Sequence, residues 1–187
     1  TVQTTGLAEF DASGAVDLGN AAGDTVHFAS VDASGTSVAL REDSGTNLAG
    51  AGASAGDLLV DSQGDITDSP GATLGVSGSA TFQANGNDIT LGDNAADTTN
   101  FGSLSADGTN VNISEDSGMT LDGLSAANAV LAATGDLDNS AGATLAATDA
   151  TFDAAGNIDL GTAAGDSVNF AMVGLQGAAA TLHEDSS

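Results

Sequence analysis

The chain has no cysteine, tryptophan, tyrosine or lysine, and it has one arginine and one proline. Without cysteine there is no disulfide framework, no thiol chemistry and no zinc knuckle. Arg41 stands against 26 acidic side chains, for a formal charge of -25. Such a chain cannot neutralise a row of phosphates, which excludes nucleic-acid binding, and its field disfavours anionic membrane surfaces. No apolar run approaches the ~18 residues of a membrane-spanning helix, and no secretory signal pattern opens the sequence. All six aromatic residues are Phe, so a sugar ring finds no Trp or Tyr platform here.

What is present is 187 residues, 41% of them hydrophobic, with 26 glycines. The length fits one domain or one slice of a larger array. Alanine dominates the apolar total, so the core must be thin and built from small side chains. High charge with abundant Gly, Ser, Asp and Asn is also a composition of disorder. Val, Leu, Ile and Phe nevertheless recur at regular positions, and an ordered fold is expected. The acidity keeps a large repetitive surface soluble and suits salty or calcium-rich water, where screening weakens self-repulsion.

Three segments align by eye: EFDASGAVDLGNAAGDTVHF from Glu9, TFQANGNDITLGDNAADTTNF from Thr81 and TFDAAGNIDLGTAAGDSVNF from Thr151. The phenylalanines fall into two sets spaced by about 70 residues, Phe10, Phe82 and Phe152, then Phe28, Phe101 and Phe170. A second landmark follows each time, as Glu42-Asp43-Ser44, Glu115-Asp116-Ser117 and Glu184-Asp185-Ser186. The chain reads as one continuous segment, 1–187, of a longer array, with units at 10–81, 82–151 and a partial 152–187.

Each unit subdivides. A glycine precedes a short alternating run at Gly14, Gly35, Gly64, Gly86, Gly108, Gly135, Gly156 and Gly177, at intervals of 21 to 29 residues. The runs include Val16/Leu18, Val38/Leu40, Ile89/Leu91, Val111/Ile113 and Ile158/Leu160. Two are weaker, with only Ile66 and Leu137. Period-2 alternation bounded by Gly, Asn, Asp and Ser is a strand signal, and glycine this frequent defeats helices. The pattern predicts an all-β parallel β-solenoid of about eight coils of 21–29 residues, three coils to each ~70-residue unit. At about 4.8 Å per coil it is a rod roughly 38 Å long. The two Phe sets are expected to stack in register. A β-sandwich also uses short, evenly spaced strands, but it has no need of a 70-residue self-similarity.

The stretches GDITDSPGATLGVSGSATFQANGNDITLG (Gly64 to Gly92) and ATLAATDATFDAAGNIDLG (Ala143 to Gly161) resemble the β-strand repeats of filamentous haemagglutinin-like bacterial adhesins and related giant surface proteins. The resemblance covers essentially the whole chain and rests on the recurring G-x-I-x-L-G strand. It implies a right-handed parallel β-helix that is secreted and displayed at the cell surface, as a stalk, fibre or surface layer.

Candidate chemical residues are few. His27 aligns with Asn100 and Asn169, and Arg41 aligns with Ser114 and His183. The imidazoles and the guanidinium therefore occupy interchangeable positions, and no catalytic residue is assigned. Acids are plentiful, yet a glycosidase pair needs a sugar-binding platform around it. The Glu-Asp-Ser copies, three coils apart, lie about 14 Å from one another, too far to share one Ca²⁺. They read as solvated turns. Asp93 and Glu115 do occupy neighbouring coils, without a repeated counterpart. No defined metal or cofactor residue is assigned, and the outward acids are a candidate for weak, diffuse Ca²⁺ binding.

The expected function is structural or adhesive, with no enzymatic activity in this segment. The alternative is a carbohydrate-active parallel β-helix, a polysaccharide lyase or hydrolase. Expected partners are further repeats of the same chain or identical subunits end to end, and host or neighbouring-cell surfaces or glycans. Nucleic acid and membrane insertion are not expected.

Overall fold

A computed structural model describes residues 1–185, with the backbone alone for 51–55. The described residues form fifteen strands and no helix, and all the strand pairings between them are parallel. The chain is a β-solenoid of about eight coils. One column of stacked residues shows this directly: Leu18, Leu40, Val60, Phe82, Ala106, Leu124, Leu145 and Val168, each paired with the next. Seven of these eight are buried, and Leu18 packs against them.

Alternation explains why these residues sit inside. Ser37–Glu42, Asp57–Ser62 and Ile66–Asp68 bury every second side chain. A one-residue slip would turn each strand inside out. The interior is narrow, as the small side chains require. Leu, Ile, Val and Ala fill it, and Phe82 and Phe152 are wholly enclosed.

Stacked residues in this column lie 18 to 24 positions apart in sequence, with no step of 27 or 29. Three coils, from Val16 through Val38 and Leu58 to Ala80, take 64 residues. The ~70-residue unit therefore spans three coils and about a third of another. Each copy begins about a third of a turn further round the rod than the last. The coil glycines follow the unit: Val38 stacks under Leu58, whereas Ile66 belongs to the column of Thr46, Ile89 and Val111.

The phenylalanines obey the same rule, contrary to the expected stacking. Phe82 lies in the Leu18 column, and Phe152 lies in the column of Ile113, Leu131 and Leu175. Phe10 pairs with Ala33, in a third column. What recurs is the local contact. Phe10 meets Phe28, Phe82 meets Phe101 and Phe152 meets Phe170, with ring centroids 5.4–5.5 Å apart and tilts of 54–58°. These are favourable tilted pairs.

Corners use glycine where the backbone turns left-handed. Gly92, at φ +68, ends the Ile89–Leu91 strand, and a Cβ there would collide with the Ser114 carbonyl oxygen of the next coil. Gly161 repeats the arrangement against His183. The final glycine of G-x-I-x-L-G is thus fixed twice, by backbone conformation and by the coil stacked on it.

Candidate functional site

At the corners strands break off, and backbone N–H groups lose their ladder partners. An N–H that has lost its ladder partner turns to another acceptor. Carboxylates of the adjacent coil supply it. Asp57 accepts from Ser79 N at 3.0 Å, Asp65 from Asp88 N at 3.1 Å and Asp136 from Asn157 N at 2.7 Å. Much of the acidity therefore joins coil to coil, a role composition alone does not reveal.

The Glu-Asp-Ser motif is the most regular case. Asp43 Oδ2 accepts from Val26 N at 3.0 Å, Asp116 Oδ2 from Thr99 N at 2.9 Å and Asp185 Oδ2 from Val168 N at 3.1 Å. The preceding glutamates take the Phe N–H two residues on, Glu115 from Phe101 and Glu184 from Phe170, each at 3.2 Å. Glu42 accepts likewise from the Phe28 backbone. The solvated-turn reading is corrected here. Glu42 and Glu115 are buried, at 3% exposure each, because they stand on the inward register of their strands, where each meets that N–H. Burial, foremost, pushes both carboxyls up to about 7. Ser186 lies outside the described residues.

The residues singled out for catalysis do not converge. Half-buried His27 stacks on Gln3 in a shallow groove with Thr4 and Thr5. Arg41 Nη1 pairs with Asp17 at 2.8 Å on the surface. His183 is exposed after the last strand, its N–H bonded to Leu160 O at 2.9 Å. Asp93 and Glu115 line one groove, together with Asn94, Ser114 and Asp116.

Asp93 belongs to a different cluster. Asp68, Asp93 and Asp97 each bring one carboxylate oxygen to within 4.8 Å of the other two. Asp68 comes from one coil and the other two from the next, through the Ile66–Ile89 pairing. Asp68 stands in an apolar column: it pairs with Leu48, and its neighbours Ile66 and Thr67 pair with Ile89 and Thr90, which aligns it with Leu91. Its Oδ2 accepts from Gly92 N at 2.9 Å, while Oδ1 has no hydrogen-bond partner. Burial, then the charges of Asp97 and Asp93, pushes Asp68 up to about 6. Asp97 ties its own turn through Asn94 N at 2.8 Å and the coil below through Gly71 N at 2.7 Å. The sequence carried a signal for this cluster. The two weak strands, with Ile66 and Leu137 alone, are those in which Asp68 and Asn139 replace the second apolar residue.

No curated protein and no solved structure matches the chain. Residues 35–105, the length of one unit, match the model of a family described as repeats of unknown function (DUF5649).

Proposed function

We propose that this chain is a structural segment of a secreted bacterial surface protein of the filamentous haemagglutinin-like kind, a spacer that extends, presents or coats. The observation that carries the reading is the rotation of the unit by about a third of a coil. Solenoids that work as templates or long binding grooves repeat their outward chemistry in ranks on one face. Here the Glu-Asp-Ser corners and the Phe-bearing strands move round the rod from copy to copy, so no face accumulates them. The carboxylates that recur most faithfully are spent on backbone N–H groups between coils. What repeats therefore serves the stack.

Stacking also suggests the partner. At the ends of the described stack, Val2, Leu7, Met172 and Val173 are exposed, and unpaired parallel edges invite another coil. Further repeats of the same chain, or an identical subunit end to end, satisfy both needs. The lateral surface repels its own kind unless salt screens it.

Two measurements test the proposal. An antibody raised against this segment should label intact cells, and labelling only after permeabilisation overturns the surface reading. Incubation with acidic and neutral polysaccharides should leave their chain length unchanged. Cleavage lost on changing one acid to its amide would replace the spacer by the carbohydrate-active alternative.

A further inference from the structure

Asp68 offers more than its turn uses. The local backbone asks for one acceptor, for Gly92 N–H. Asn139, the counterpart one unit on, supplies the same acceptor to Gly161 N at 2.7 Å with a neutral amide. The carboxylate at Asp68 thus adds a negative charge and a second oxygen to an apolar column. That oxygen is unpartnered although the residue is only 8% exposed.

Asp93 shows the same excess, since its counterpart is Thr162. Asp97 does not. It returns as Asp166, which ties Ala163 N and Gly142 N at 2.8 Å each, as Asp97 ties Asn94 and Gly71. So the turn requires one acid, and the two surplus acids are those that converge on it. The electrical consequences differ between the copies. Beside the Asn139 amide, first of all, the Asp166 carboxyl is held below the usual carboxylate range, while burial, and after it the charges of Asp97 and Asp93, raises Asp68. Arg41, the one guanidinium of the chain, is paired with Asp17.

Geometry decides what would compensate three such carboxylates. Two oxygens bound to one Ca²⁺ at about 2.4 Å stand at most about 4.8 Å apart. The three oxygens here meet that limit pairwise. An all-oxygen donor set suits a hard cation rather than metals that seek imidazole or thiolate. Asp93 is exposed and opens on the groove of Asn94, Ser114 and Asp116, which gives a path from solvent.

We propose that Asp68, Asp93 and Asp97 bind one calcium ion that joins two successive coils. The site belongs to this copy of the unit alone among the described residues, and it does not depend on the spacer reading.

The test is calorimetric titration of Ca²⁺ into the whole chain in about 150 mM NaCl, where diffuse attraction to the polyanion is screened. The wild type should bind one saturable equivalent and melt several degrees higher with Ca²⁺. Asp68→Asn copies what Asn139 already does, so it should fold and lose the saturable event. Asp93→Thr, copying Thr162, should lose it too. Asp149→Asn, at an exposed acid elsewhere, should bind as the wild type does. Absence of a saturable equivalent in the wild type, or its retention in Asp93→Thr, overturns the site, and the second criterion stands even if Asp68→Asn does not fold.

Discussion

Glu115 reaches back fourteen residues to accept the Phe101 N–H at 3.2 Å, and it does so from within the solenoid wall. Its other oxygen, Oε1, is buried without a partner, as is that of Glu42. One acceptor oxygen is needed and a full charge is enclosed with it. Both glutamates thus keep their protons to about 7, against 4.5 for a free side chain.

A pH dependence follows. Between about 4.5 and 7 the folded chain retains protons that the unfolded chain has lost. Stability therefore falls as pH rises through that window and levels off above it. Solvent screening limits the loss to about 1–2 kcal/mol per glutamate. The urea midpoint should be higher at pH 5 than at pH 8. Glu42→Gln with Glu115→Gln keeps the acceptors and should remove most of that difference; an unchanged slope would contradict the assignment.

The neighbouring aspartates should behave differently. Asp43 and Asp116 each receive a backbone N–H, from Val26 and Thr99, at 3.0 and 2.9 Å. Asp116→Ala strands that donor and should cost about 1–3 kcal/mol. Asp43→Ala should cost a similar amount, since the corner is the same. Chemical denaturation of the two single variants and the double variant checks this, with near-additive losses expected for sites this well separated.

Much of the fold was legible in the sequence. Alternation at Val38/Leu40 or Ile89/Leu91, with glycines between, fixes strands and an inward face, and the Phe sets expose the unit. The rotation of the unit was hidden, because a repeat length does not reveal the coil length. Pairings such as Val38 with Leu58 and Ala106 with Leu124 distinguish them. The burial of Glu42 was hidden for a related reason. Acidity implies exposure by default, although Glu42 continues the inward alternation of Val38 and Leu40, and the Phe28 N–H that its side chain meets lies fourteen residues away. Asp68 announced itself only as an absence, the apolar residue missing after Ile66.

Glycine corners offer a contrast that separates strain from collision. Gly23, at φ +91, has nothing within 4 Å of a Cβ position, whereas a Cβ on Gly92 would strike the Ser114 carbonyl. Gly23→Ala should cost about 1–2 kcal/mol for the left-handed backbone alone. Gly92→Ala must in addition push two coils apart, and a loss exceeding that of Gly23→Ala by at least about 1 kcal/mol is expected. Melting both variants under one set of conditions decides it. Equal losses would mean that the coils at Gly92 are less closely stacked than described.

The last prediction concerns the phenylalanines, whose local pairing matters more than their place in the unit. Phe82 is fully enclosed, whereas its counterpart Phe10 is only partly buried. Phe82→Ala leaves a cavity between Val60 and Ala106, its stacked neighbours, and small alanines cannot collapse into it. It should cost about 3–5 kcal/mol, and Phe10→Ala clearly less. Because Phe82 and Phe152 lie in different columns, a compensating enlargement must be made locally. Ala106→Leu should recover part of the Phe82→Ala loss, measured by urea denaturation, and should recover nothing of Phe152→Ala. Equal rescue of both would mean that the two phenylalanines share a column, contrary to the third-of-a-turn rotation between units.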